Sequence, residues 1–190
     1  MIMAKPKFWD RKYNLISLML LPISILLQIL IFIKKLNTKE ISHKIPIICI
    51  GNIYVGGTGK TPLSIKLAKE LIKKKKKTAI VKKYYDSHVD EHRLIKKNSV
   101  DLLLDKKRNT AITVAVKRKY DVVILDDGFQ DYSVKKNLNI LCFNDKQLIG
   151  NGMLLPSGPL RENFNSIKNA QIILINGTKN IEFEKKIYSC

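Results

Sequence analysis

A chain of 190 residues, 45% of them hydrophobic, holds enough apolar surface for one compact domain with a real core, which excludes a disordered polymer. It is too short for two large domains. The formal net charge of +19 excludes a preference for cationic partners and favours anionic ones: lipid headgroups, phosphorylated substrates or nucleic acid.

The first element in chain order is Leu15–Ile33, LISLMLLPISILLQILIFI, 19 residues without a charge. That is about the length a helix needs to cross a bilayer core, so the sequence predicts a membrane helix over residues 1–36 ahead of the soluble domain. No small-residue cleavage site follows it, as a signal peptide would require. Lysine and arginine flank both ends, and the positive-inside rule pulls both flanks to the cytoplasm. A helix dipping into one leaflet meets both demands. Pro22 would kink it, and Gln28 and two serines weaken a full span.

From residue 37 to 190 the pattern becomes α/β. Short apolar runs at Ile45–Ile50, Thr78–Val81, Tyr120–Leu125, Leu138–Cys142 and Gln171–Ile175 read as buried strands. Leu63, Leu67, Leu71 and Ile72 give Thr61–Lys76 a helical period, closed by the positive run Lys73–Lys77. A further helix is expected near Asn109–Lys117, while the rest of 82–119 is charged and only loosely periodic. The chain is expected to stop after its last strand without a closing helix. Strands alternating with helices predict a doubly wound, mostly parallel sheet.

Cys49, Cys142 and Cys190 form no C-x-x-C pair, and the first two lie in apolar runs. They read as reduced thiols of a cytosol-facing protein. His43, His88 and His92 read as surface histidines. The Lys excess accompanies Ile- and Asn-rich usage, which an AT-rich genome also produces, so the charge alone does not choose a partner. No nucleic-acid reading module is found, which disfavours that class.

Two motifs carry chemistry. GNIYVGGTGKTP, Gly51–Pro62, lies between a strand and a helix, where a phosphate-binding loop belongs. Gly56, Gly57, Thr58 and Gly59 would let backbone N–H groups face a phosphate. Lys60 would reach the β- and γ-phosphates of ATP, and the Thr61 hydroxyl would ligate Mg²⁺. The strict pattern fails at one position, where Tyr54 replaces glycine. The second motif is VVILDDG, Val122–Gly128, which sets Asp126 and Asp127 at the C-terminal edge of a strand, the place of a Mg²⁺-holding aspartate. Together they predict a P-loop NTPase-like fold.

With VGGTGKTP, the stretches DDGFQ (Asp126–Gln130) and LLPSGPLRE (Leu154–Glu162) resemble the tetraacyldisaccharide 4′-kinase family, whose members carry DDGFQH and LLPAGPLRE in this order. The resemblance implies transfer of the ATP γ-phosphate to the 4′-hydroxyl of a lipid-linked disaccharide in lipid A synthesis, at the cytoplasmic face of the inner membrane. It implies that Lys60 and Asp127 act in catalysis, and that Asp90, in the segment matching the family's G-D-E-P, is the general base. Glu91 would help near the metal alongside Thr61, Asp126 and Asp127. Arg108, Gln130 and Arg161 would serve the substrate.

The sequence departs from the family in several places. G-D-E-P is Val89-Asp90-Glu91-His92, the S-R-G-Y-G segment is replaced by VKKYYD, and the DDGFQH histidine is Asp131. Family members continue into a C-terminal lobe with a histidine paired to the catalytic Asp. The expectation is therefore an N-terminal portion with that lobe missing. The rival readings are a membrane-attached P-loop ATPase or switch protein, and an inactive relic of the kinase.

Overall fold

The computed structural model describes residues 5–189 except Tyr13 and 86–88; for Val89 and Glu91 it describes the backbone only. The helices are α1 (Leu15–Met19), α2 (Leu21–Leu36), α3 (Lys60–Lys73), α4 (Val89–Lys97), α5 (Arg108–Lys117) and α6 (Ile181–Tyr188). The strands are β1 (Ile47–Gly51), β2 (Thr78–Lys83), β3 (Asp101–Asp105), β4 (Val122–Asp126), β5 (Leu138–Asn144) and β6 (Ile172–Asn176). They form one six-stranded sheet in the order β3-β2-β4-β1-β5-β6. The pairings β1–β4, β2–β3 and β2–β4 are parallel, as the strand–helix alternation requires.

The chain divides into two compact units. One comprises residues 39–51 and 59–140. Its core is built on β4, whose five residues Val122–Asp126 are all buried, as expected of a central parallel strand covered on both faces. α3 packs on β1, β2 and β4, and α5 on β2 and β3. α3 buries Thr61, Ser64, Ile65 and Ala68 on one stripe. It ends at Lys73, where the Lys75 and Lys76 N–H groups bond back to the Ile72 and Leu71 carbonyls and Lys75 takes a φ of 60°.

The loosely periodic stretch between β2 and α5 holds two elements missing from the sequence reading. α4 packs on β3 and α3. β3 is a strand of only three apolar residues between two aspartates, at the sheet edge, so its pattern is weak. His92 on α4 is buried and stacked on the Tyr84 ring at 6.1 Å, which corrects the surface reading of that histidine. His43 instead meets the Asn109 Oδ1 at 2.7 Å. His88 lies outside the described residues.

The other unit comprises residues 1–38, 52–58 and 141–190. The uncharged N-terminal run is not one continuous helix. It breaks at Leu20, after the five residues of α1, and α2 restarts with Pro22 in its first turn, where a missing N–H costs nothing. Among the described residues no helix is long and apolar enough to cross a membrane.

α1 and α2 bury their serines and expose their hydrophobes. Ser17 is 0% and Ser24 2% exposed, whereas Leu26, Leu30 and Phe32 are 58%, 54% and 60% exposed. The Ser24 hydroxyl donates to the Leu154 carbonyl at 3.1 Å, lies 2.7 Å from the Ser157 hydroxyl, and accepts from the Ser157 N–H at 3.1 Å. Asn151 donates to the Ser17 hydroxyl at 3.2 Å. The serines that weaken a membrane span thus fasten these helices to the 151–157 loop. A further correction is α6, which follows β6 and seats Phe183 on Phe143 with ring centroids 5.0 Å apart. Asn180 caps α6 by accepting the Phe183 N–H, a polar signal that follows the last apolar run.

Candidate nucleotide-binding site

β1 and β4 lie side by side with Ile50 opposite Asp126. This register brings the end of β1, where the glycine-rich loop starts, beside the carboxylates that end β4. Gly59 opens α3 with a φ of 80°, a left-handed conformation that a side chain would resist. It is followed at once by Lys60 and Thr61.

The Thr61 hydroxyl donates to Asp126 Oδ2 at 2.8 Å. Asp126 is fully buried, and its other oxygen, Oδ1, is buried without a hydrogen-bond partner. The Lys60 ammonium lies 3.6 Å from Asp127 Oδ1. Asp127 turns the chain with a φ of 58°, fixed by its N–H donating to the Ile50 carbonyl at 2.9 Å. The two aspartates therefore diverge: one points into the core at Thr61, and the other, half-exposed, reaches Lys60.

A second lysine joins the cluster. Lys82 is the penultimate residue of β2, with its side chain 5% exposed and its ammonium 2.8 Å from Asp126 Oδ2. The sequence reading passed over Lys82, yet the parallel register carries the signal. Val81 pairs with Leu125, so the next residue of β2 falls beside Asp126.

Arg108 begins α5. Its Nη2 donates to the Asp127 carbonyl at 2.6 Å and its Nη1 to Asp131 Oδ2 at 3.1 Å, while its Nε is buried without a partner. Burial would raise the Asp131 carboxyl, but the Ser133 hydroxyl and the Arg108 guanidinium outweigh it and hold the group below the usual carboxylate range. Gln130 is half-buried in the turn after β4. Asp90 is exposed in the first turn of α4, and the Glu91 side chain lies outside what is described. Beneath the site, burial pushes the Cys49 thiol up to about 12, so it is an inert core thiol.

The remaining loop residues belong to the other unit. Gly56 takes a φ of 140°, and a Cβ on Gly57 would meet nothing within 4 Å, so that peptide is open to a ligand. Thr58 is buried. The Gly57 carbonyl accepts from Asn144 at 3.3 Å and the Val55 carbonyl from Gln147 at 2.9 Å, which hold the loop from β5 and its following turn. Tyr54, the departure from the strict pattern, is fully buried against Phe143, and its hydroxyl accepts the Asn144 N–H at 2.7 Å. The aromatic ring is a core residue there, which explains the substitution. The Arg161 N–H donates to the Ile53 carbonyl at 2.7 Å, tying the 154–162 loop to the segment that enters the phosphate loop. In this unit α2 and residues 152–164 also enclose an apolar groove of about 490 Å³, lined by Ile25, Ile29, Phe32, Met153, Leu154 and Phe164 among others.

Among the described residues no cluster of three His, Cys, Asp or Glu side chains forms a ready-made metal cage. A loop of this type holds its cation through one or two protein oxygens together with phosphate, and Thr61 Oγ1 with the unsatisfied Asp126 Oδ1 fits that demand.

A family model described as Tetraacyldisaccharide-1-P 4'-kinase matches residues 16–188. A tetraacyldisaccharide 4'-kinase of Pelagibacter ubique is 46% identical over 180 residues, covering 94% of this chain and 57% of the relative. The crystal structure of the kinase of that family from Aquifex aeolicus, in complex with ATP, superposes with a TM-score of 0.74 at 29% identity, over 85% of this chain and 59% of that one. The 54 kDa signal recognition particle protein of Aeropyrum pernix shares the fold, with a TM-score of 0.53 at 14% identity over 77% of this chain and 39% of that one. The chain thus spans a little over half the length of the curated relative from Pelagibacter ubique.

Proposed function

Because the chain belongs to the tetraacyldisaccharide-1-phosphate 4′-kinase family, we propose that it is the nucleotide-binding portion of a kinase that phosphorylates the 4′-hydroxyl of a tetraacyldisaccharide 1-phosphate in lipid A synthesis. The observation that carries this reading is the meeting of Lys60 with Asp127 and of Thr61 with Asp126. A phosphate loop and a strand-end carboxylate pair need this juxtaposition to handle Mg²⁺ and nucleotide.

Mg²⁺·ATP, when bound, supplies the phosphoryl group and the divalent charge that offsets its oxygens. Gly56, Gly57, Thr58 and Gly59 would present backbone N–H groups to the phosphates, and Lys60 would place an ammonium at the transferred group. Thr61, Asp126 and Asp127 would hold the metal, and the family resemblance adds Glu91 as a helper. Asp127 also orients Lys60 while it waits for nucleotide. A sugar hydroxyl is a poor nucleophile, so Asp90 accepts its proton as the new bond forms. Arg108 and Gln130 would serve the acceptor, the Arg108 Nε being a buried donor; the family resemblance gives Arg161 a substrate role as well.

The acceptor stays in the membrane by its acyl chains. Residues 1–36 form the membrane-associated segment and 37–190 the kinase body. The exposed apolar face of α1 and α2 enters one leaflet of the inner membrane from the cytoplasmic side, and the flanking lysines meet anionic headgroups. The apolar groove beside α2 accommodates part of an acyl chain.

The test is phosphate transfer from Mg²⁺·ATP to the tetraacyldisaccharide 1-phosphate in detergent micelles, with Lys60→Ala as control. Transfer abolished by Lys60→Ala establishes the activity. Nucleotide binding without transfer restricts this chain to the nucleotide-binding portion. Hydrolysis that ignores the acceptor turns the reading to an ATPase.

A further inference from the structure

We propose that Lys82 is a built-in counter-cation of the nucleotide site, which neutralises Asp126 in the absence of metal and thereby weakens the demand of ATP binding for a divalent ion. The inference rests on the nucleotide-site reading above and adds a residue to it.

Three observations carry it. The Lys82 ammonium and the Thr61 hydroxyl both sit 2.8 Å from the same oxygen, Asp126 Oδ2. The pair is deeply buried, with side chains 5% and 0% exposed, so solvent screens it little. Lys60 already has its own carboxylate in Asp127, so the described cluster holds two lysines for two aspartates.

A buried carboxylate beside a phosphate pocket repels the incoming polyanion unless a cation offsets it. In most phosphate loops the metal that arrives with the nucleotide performs that role. Here a lysine fixed on β2 performs it beforehand. The same ammonium also stands beside any divalent ion that Asp126 helps to hold, and two like charges on one carboxylate oppose each other. Lys82 should therefore strengthen metal-free nucleotide binding and weaken metal binding. Packing alone does not generate opposite effects of that kind. Lys82 acts through Asp126, so it is a positioning residue.

The experiment measures ATP affinity in EDTA by isothermal titration calorimetry, and Mn²⁺ affinity in the presence of ATP by electron paramagnetic resonance, on the full chain. Lys82→Met should weaken ATP binding in EDTA at least ten-fold and tighten Mn²⁺ binding at least ten-fold, with Lys82→Arg close to the parent in both. Asp126→Asn keeps an acceptor for Lys82 and Thr61 and releases the lysine charge onto the phosphates. It should strengthen metal-free ATP binding at least ten-fold, and that gain should vanish in the double variant with Lys82→Met. The Asp126→Asn arm decides the matter if Lys82→Met does not fold. A parent chain that binds ATP with affinities unmoved by either substitution overturns the role of Lys82 alone. A parent chain that binds no ATP, with or without Mg²⁺, overturns the nucleotide-site reading and the proposal with it.

Discussion

Arg108 is clamped by Asp131, 3.1 Å from Nη1 to the carboxylate, while its Nη2 grips the Asp127 carbonyl at 2.6 Å. The guanidinium fixes the turn that follows β4, and with it the direction in which Asp127 points. Asp131 stands where the family motif has a histidine, so an ion pair supports this turn here.

The pair gives an acid branch to stability. The Asp131 carboxyl is lowered in the folded chain. A group with a depressed folded value contributes its stabilisation above its unfolded pKa, about 4, and loses it as pH falls through the lower folded value. Asp131→Asn should lower the urea midpoint by a constant amount between about pH 5 and 8, where the carboxylate is ionised in both states. The gap between parent and variant should close as the solution is acidified below the usual carboxylate range. A gap that persists there would show that the side chain acts through shape alone.

Gly51, at the junction of β1 and the phosphate loop, has no room for a methyl group. A Cβ at this position would lie 2.5 Å from the Cβ of Phe129 and 3.2 Å from its backbone nitrogen. Gly51→Ala should cost on the order of 1–3 kcal/mol, the usual range for overpacking a buried site. Thermal unfolding measures it. Phe129→Ala should give no relief, because alanine keeps the atom that clashes. A double variant as stable as Phe129→Ala itself would contradict the geometry.

The buried Asp126 carboxylate depends on Thr61 as well as Lys82. Thr61→Val removes the hydroxyl that donates at 2.8 Å and leaves Asp126 Oδ2 with the ammonium of Lys82. The loss should be about 1–3 kcal/mol in chemical denaturation, the cost of a missing bond to a buried charged group. Thr61→Ser should recover most of it. Equal stability of the valine and serine variants would mean that the hydroxyl contributes nothing to the fold.

How far the sequence foretold this arrangement follows from how local each signal is. The phosphate loop is a continuous run of glycines between a strand and a helix, so Lys60 and Thr61 were readable without knowing any tertiary contact. Asp126 and Asp127 end an apolar run and were readable for the same reason. Lys82 was hidden because its significance depends on which strand neighbours β2, and that neighbour lies some forty residues further along the chain. β3 was hidden because three apolar residues between aspartates give too short an alternation, and its pairing with β2 supplies what its sequence lacks. The N-terminal run misled in a different way. Its hydropathy is real, but the helix breaks at Leu20, just ahead of Pro22, and the hydrogen bonds of Ser17 and Ser24 are made with the 151–157 loop, far off in sequence.

That inverted helix yields the last prediction. Ser24 faces the 154–157 segment with its hydroxyl between the Leu154 carbonyl and Ser157, while Leu26 and Leu30 lie on its exposed surface. The two faces should therefore separate by experiment. Ser24→Val leaves buried partners unsatisfied and should lower stability by about 1–3 kcal/mol. Leu26→Glu with Leu30→Glu removes apolar surface only from the exposed face, so the melting temperature should stay near the parent's. The same double substitution should abolish co-flotation with vesicles containing anionic lipid, because insertion scales with the apolar area buried in the leaflet and the new carboxylates oppose the headgroup charge. High salt should weaken, without abolishing, flotation of the parent, since the lysine contribution is screened and the apolar one is not. Flotation of the double variant equal to the parent's would show that α2 does not meet the membrane.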